Sequence, residues 1–290
     1  MKNKIFRFTL ILSILLLASC QYSCKDDSIT NITEEIVIDK DPCWSPNGLE
    51  IIYVSGSEPL GITSINSNGS NKHLVNSNYG RNIDISPDGN WIAYVIGGNI
   101  FKERINGKDS IVQLTFEVYN FSPSWSKDGN WIAFSSNNNT SGIMSFIWKM
   151  RSDGSEKKRI FYTPTLGEVR EPDWFPDGIR LAVSRYVGHG SPEIGIIDTL
   201  GNALGELTND RIDDTVPKVS PDGNYIVFQR LENTNNVMVM KVDGSELKQI
   251  SQGQFPNWSG DGLRIVFANT TDGRIWTMLS NGTFKTKISY

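Results

Sequence analysis

One pattern occurs six times in this chain. The segments WSPNGLEIIYVS (44–55), ISPDGNWIAYVI (85–96), WSKDGNWIAFSS (125–136), WFPDGIRLAVSR (174–185), VSPDGNYIVFQR (219–230) and WSGDGLRIVFAN (258–269) align without a gap. Their shared glycines, Gly48, Gly89, Gly129, Gly178, Gly223 and Gly262, follow one another at intervals of 39 to 49 residues. A period near 40 belongs to a propeller blade or to a helical repeat. Residue type decides between them. The runs are short, β-branched and aromatic, and Gly, Asn, Asp and Pro bound them, as expected of strands.

Each part of the repeat has a physical reason. In Ser-Pro-Asp-Gly, proline presets φ, aspartate bonds its own backbone and glycine takes φ > 0. Asp88, Gly89, Asp128, Gly129, Asp177, Gly178, Asp222, Gly223, Asp261 and Gly262 are therefore read as structural turn residues. The strand that follows is apolar on both faces, as in Ile92-Ala93-Tyr94, and such a strand is covered on both sides. A second turn follows at Asn68-Gly69, Asn106-Gly107, Asp153-Gly154, Leu200-Gly201, Asp243-Gly244 and Asn281-Gly282. It is preceded by strands such as 146–150 and 237–242 and followed by a short strand. Four strands in each of six repeats predict an all-β chain: a six-bladed β-propeller with four antiparallel strands per blade, spanning 41–290. The last blade owns its outer strand (284–289). The segment 29–38 is a candidate latch strand, so the manner of ring closure stays open.

The repeat resembles the PD40, TolB-like (WD40-like) β-propeller repeat, and the match covers about 41–290. The Gly-His and Trp-Asp signatures of a true WD40 array are absent. TolB carries an α/β domain before its propeller and this chain has only a short segment there, so TolB's partner contacts are not carried over. Prolyl-oligopeptidase-like enzymes join related repeats to a hydrolase domain that has no counterpart here.

The N-terminus reads as an address. Lys2, Lys4 and Arg7 precede the apolar stretch 8–19, which would span only ~18 Å as a helix against ~30 Å of hydrocarbon. That is the form of a signal peptide, 1–19. Leu17-Ala18-Ser19-Cys20 resembles the bacterial lipobox, which implies cleavage before Cys20 and acylation of that cysteine. Residues 20–40 are then the lipidated N-terminus and a linker. Lys25-Asp26-Asp27 resembles a surface-export signal of some Gram-negative lipoproteins. Gln21 is not the aspartate associated with inner-membrane retention, so the resemblance favours the outer membrane, with surface exposure as an option. Export permits a disulfide between Cys24 and Cys43; two unpaired thiols are the alternative.

Charge and motif content narrow the function. The chain is −4 overall. Removing 1–19 takes away three basic residues and no acid, leaving −7. No basic stripe exists to replace counterions, which argues against nucleic acid. There is no Gly-x-Ser-x-Gly elbow. The two histidines, His73 and His189, fall in different blades, which disfavours a zinc site. No catalytic residue, protein metal ligand or cofactor is assigned. The acids Asp41, Asp84, Asp173 and Asp213 leave open a cation in the central channel. Trp44, Trp125, Trp174 and Trp258 share a repeat position with Ile85 and Val219 and are read as core. Trp91 and Trp131 are read as packed between blades.

Both glycine turns of a blade fall on one rim, because turns alternate between rims along the chain. The opposite rim carries the loops that differ among blades, and binding residues sit on such loops over a rigid scaffold. The candidates there are Arg81, Asn82, Tyr119, Arg170, Glu171, Asp213, Asp214, Gln254 and Phe255. Three readings follow. The first is a non-enzymatic, lipid-tethered, monomeric module that binds an envelope protein. The second is a carbohydrate- or peptidoglycan-binding lipoprotein. The third is an enzyme acting in the central channel.

Overall fold

The computed structural model describes residues 38–106, 110–117, 119–137, 145–161, 167–186 and 190–290. The signal peptide, Cys20, Cys24 and the latch segment up to residue 37 lie outside the described residues, as do Gly107, residues 138–144 and His189. Among the described residues, no helix is long and apolar enough to cross a membrane.

The repeats fold as six four-stranded antiparallel sheets, each with its strands in sequence order. Blade 1 consists of Lys40–Trp44, Glu50–Ser55, Gly61–Asn66 and His73–Asn76, from the axis outward. The innermost strands of blades 2 to 6 are Arg81–Ile85, Asn120–Trp125, Val169–Trp174, Asp213–Val219 and Gln254–Trp258. These six pack side by side in a ring, the sixth against the first.

The first turn is built as its residues predict. In blade 2, Gly89 adopts φ 70° and its N–H donates to the Ser86 carbonyl at 2.8 Å. Ser86 Oγ donates to Asp88 Oδ1 (2.5 Å) and accepts the Trp91 N–H (2.9 Å). Asp88 Oδ1 also accepts the Asn90 N–H at 3.0 Å. The serine hydroxyl is the main reason the Asp88 carboxyl is held below the usual carboxylate range. Blades 3, 5 and 6 repeat the device through Ser126, Ser220 and Ser259. Blade 4 has Phe175 in place of the serine, and Arg180 Nε donates to Asp177 at 2.6 Å instead.

The core lies between the blades. Six apolar clusters occupy the six interfaces. Ile92 and Tyr94 face Ile52 and Ile62 of blade 1, while Ala93 and Val95 of the same strand face Phe134 and Met150 of blade 3. This is why the second strand is apolar on both faces. Burying each large side chain contributes about 1.5–3 kcal/mol. Trp44, Trp125, Trp174 and Trp258 are buried, as are Ile85 and Val219 at the same repeat position. Trp91 and Trp131 pack only partly into the inter-blade clusters. Cations flank each ring: Lys102 and Arg104 lie 4.7 and 4.9 Å from the centre of Trp91, and Lys149 and Arg151 lie 4.5 and 4.1 Å from that of Trp131.

The ring closes without a shared blade. Blade 6 takes its outer strand, Thr286–Lys287, from the C-terminus, and blade 1 is drawn wholly from the N-terminal side. Asp39 joins them and is fully buried. Its N–H donates to the Gly273 carbonyl (2.8 Å), Oδ1 accepts the Gly56 N–H (3.0 Å), and Oδ2 accepts Ser289 Oγ (2.5 Å). Arg274 lies 3.7 Å from the same carboxylate.

Candidate functional site

The axis is lined by one tetrapeptide from each innermost strand: Asp41-Pro42-Cys43-Trp44, Asn82-Ile83-Asp84-Ile85, Ser122-Pro123-Ser124-Trp125, Glu171-Pro172-Asp173-Trp174, Val216-Pro217-Lys218-Val219 and Phe255-Pro256-Asn257-Trp258. The first residue of every one is left-handed, with φ between 51° and 57°. In each blade the pairing with the second strand shifts register around this tetrapeptide. These are β-bulges. They spare five prolines the ladder hydrogen bond that proline cannot donate. The first two residues of the six tetrapeptides line a cavity of about 80 Å³ at the mouth on the variable rim. A second cavity, of about 320 Å³, lies toward the glycine rim.

The channel acids tie neighbouring blades together. Asp41 Oδ2 accepts the Asn82 N–H at 2.6 Å, and Asp84 Oδ2 accepts the Trp125 N–H at 2.7 Å. Glu171 Oε2 accepts the Val216 N–H at 2.7 Å, and Asp173 Oδ2 accepts the Val219 N–H at 2.9 Å. In each case the side chain of one blade holds the backbone of the next. The Cys43 thiol does the same, donating to the Ile83 carbonyl (3.1 Å) and accepting from Asn257 Nδ2 (3.3 Å). Cys43 is a free, buried thiol whose pKa burial drives upward.

A cationic side chain of the chain itself stands among these acids. Lys218 Nζ donates to Asp173 Oδ1 at 3.0 Å. Burial lowers its pKa, but the carboxylates of Asp173 and Asp84 outweigh burial and hold the ammonium above its usual range. Burial raises Asp41 and Asp84 above the usual carboxylate range; the Asn82 N–H opposes this at Asp41, and Lys218 does so at Asp84. Asp213, expected among the channel acids, lines neither cavity. The innermost strand of blade 5 is longer, and Asp213 pairs with Leu231 three residues before Val216.

The variable-rim candidates divide into two sets. Asn82, Glu171 and Phe255 occupy the left-handed position and line the channel mouth. Arg81 and Tyr119 are exposed, while Asp213 and Gln254 are half-buried. Arg170 is held rather than free: its guanidinium carbon lies 5.7 Å from the Phe121 ring and 5.6 Å from Tyr186, and it pairs with Glu168. Asp214 is fully buried in a two-pronged pair with Arg230, with both contacts at 2.7 Å. Arg230 also meets Asp210 at 2.8 Å, and Glu193 completes a cluster of three converging carboxylates. His73 is exposed on the outer strand of blade 1, far in the fold from the channel lining.

Sequence reasoning missed Lys218, Arg230 and Asp39. For Lys218 a signal existed, because the aligned repeats place it in register with Asp84 and Asp173. For Arg230 and Asp39 no motif did.

The TolB beta propeller domain model, PD40, matches residues 22–174. The fold is similar to that of TolB from Acinetobacter baumannii, at 19% identity and a TM-score of 0.67, over 86% of this chain and 62% of that one. It is similar to a TolB-type protein from Agrobacterium tumefaciens, at 21% identity and a TM-score of 0.66, over 75% and 84% of the two chains. It is also similar to oligogalacturonate lyase from Vibrio parahaemolyticus, at 11% identity and a TM-score of 0.58, over 88% and 79%. At these identities the likeness is one of fold.

Proposed function

The chain belongs to the TolB β-propeller domain family, and on that premise we propose that it is a non-enzymatic interaction module of the bacterial envelope, anchored by acylation of Cys20 and binding a protein through its variable rim. The observation that carries this reading is the commitment of the channel side chains. Asp41, Asp84, Glu171 and Asp173 hold backbone N–H groups of the next blade, and Lys218 neutralises two of them. What remains free to meet a partner is the rim. Its loops differ from blade to blade while the scaffold beneath repeats. Placement in the envelope rests on the lipobox-like Leu17 to Cys20, with the outer membrane favoured by Gln21.

Crosslinking in cells, followed by mass spectrometry of the captured lipoprotein, tests both halves. One dominant protein partner is expected. It should be lost with Asp213→Ala and Gln254→Ala combined, and reduced with Cys20→Ala. Capture that survives the rim changes would move the interface elsewhere. Good expression with no protein captured would favour the carbohydrate reading, and glycan binding would then be measured. The enzyme reading draws on a shared fold, as with oligogalacturonate lyase.

A further inference from the structure

Exposed aromatic side chains are concentrated on the variable rim. On the glycine rim the exposed large apolar side chains are mainly aliphatic, as at Leu49, Ile179, Leu200 and Leu263, with Phe284 the aromatic exception. On the variable rim Ile38, Leu60 and Leu231 are joined by four exposed aromatics, and the aromatics follow the crossings from an outer strand to the next innermost strand. Tyr79 (58% exposed) lies in the crossing from blade 1 to blade 2. Phe116 (75%) and Tyr119 (61%) lie in the crossing from blade 2 to blade 3. Tyr290 (77%) follows the outer strand of blade 6, one residue beyond the Ser289 that bonds Asp39. Every exposed tyrosine among the described residues is in this set. The crossing from blade 4 to blade 5 carries Asp210 and Arg211 instead. Among the described residues the aromatic arc runs from blade 6 through blade 1 to blade 3.

The chain enters the propeller at one end of this arc, since Ile38 immediately precedes the Asp39 that Ser289 bonds. The stretch between Cys20 and Ile38 reaches about 60 Å when fully extended. An acyl chain on Cys20 would be attached on the side of this rim, where the chain enters the propeller, and the glycine rim lies a full strand length farther along the chain. A tether of that length makes a second contact effectively intramolecular, so a few weak contacts suffice. Rings with one apolar body and one polar edge are the side chains that membrane interfaces select, whereas leucines show no such preference. Exposed Lys40 and Arg81 stand beside the arc as counterparts for headgroup phosphates.

We propose that Tyr79, Phe116, Tyr119 and Tyr290 form a membrane-docking face, which seats in the headgroup layer of the bilayer that holds the anchor. The channel mouth then opens toward the bilayer and the glycine rim faces away. A protein bound by the rest of the variable rim is in turn one that lies in or on the same membrane. The proposal rests on the reading of Cys20 as acylated.

The test uses the chain from residue 20 with Cys20→Ala and Cys24→Ser. An N-terminal hexahistidine replaces the acyl chains and binds vesicles of phosphatidylethanolamine, phosphatidylglycerol and a nickel-chelating lipid. Single cysteines at Tyr79→Cys, Phe116→Cys or Tyr119→Cys carry an environment-sensitive fluorophore, with Leu49→Cys and Leu263→Cys as glycine-rim controls. Buried Cys43 stays unlabelled. Nitroxides in the lipid headgroup region are expected to quench the arc labels several-fold more than the controls. Equal quenching on both rims overturns the proposal. So does an arc that stays wet on vesicles yet is shielded in the native envelope, because a protein would then be its occupant. Acylation is read separately, by mass spectrometry of the N-terminal peptide from native membranes. A non-acylated Cys20 with the quenching contrast intact would remove the lipoprotein reading and leave the docking face standing.

Discussion

Lys218 carries its ammonium group into a space shared with Asp84, Asp173 and Cys43, where two carboxylates favour its charged form against burial. Removing one member of such a group leaves the others as uncompensated buried charges, which costs about 3–5 kcal/mol. Lys218→Met should lower stability in urea by that order. The effect should also depend on pH. The folded-state pKa of Asp84 is already raised by burial, and loss of Lys218 removes the main opposing influence. A carboxyl raised in the folded state loses stability as pH climbs from its ordinary range through the raised value, and regains it as pH falls. The deficit of the variant should therefore shrink as pH falls from neutral toward the ordinary carboxylate range. A deficit unchanged across that range would mean that Lys218 acts through packing alone. The residue was partly legible beforehand, as a lysine standing in the repeat where other blades have Asp84 and Asp173. Its partners were not, because contacts across the axis join positions separated by one or more whole blades.

The element that shapes the channel mouth is the bulge. Six left-handed residues in six consecutive blades include Val216 and Phe255, side chains for which this conformation is costly. For a residue other than glycine the left-handed region costs roughly 1–2 kcal/mol, and glycine loses about 0.5–1 kcal/mol in chain entropy. Val216→Gly should therefore be neutral to stabilising, by up to about 1 kcal/mol, in equilibrium unfolding. Clear destabilisation would show that the valine side chain itself holds the mouth in shape. Phe255 offers no such gain, since its ring packs against the cluster of Trp44 and Ile65. The turns and second strands could be read directly, because Ser-Pro-Asp-Gly has a local mechanism and a strand apolar on both faces needs two neighbours. The bulges could not. Asp41-Pro42 or Phe255-Pro256 marks a break in the ladder, but the sign of φ follows from the packing of the ring.

The molecule as a whole is held together at interfaces between blades, and only one of the six joins the two chain ends. The period of the glycines determines how many blades there are but says nothing of how the last meets the first. Here the seam between blades 6 and 1 combines an apolar layer that includes Trp44, Tyr53, Val266 and Ile288 with the bonds of Asp39. Hydrogen bonds to a charged group are worth about 1.5–3 kcal/mol each. Asp39→Ala should thus cost at least about 3 kcal/mol, with Ser289→Ala costing less. Both are measurable by denaturant titration, and a loss within error of zero for Asp39→Ala would show that the apolar layer closes the ring unaided. The same carboxylate lies one residue from the point where the preceding segment joins the propeller. Any force that reaches the molecule through that segment loads these bonds before it loads a blade. Under tension the ring would give way first at its seam, opening between blades 6 and 1 while the other five interfaces still hold.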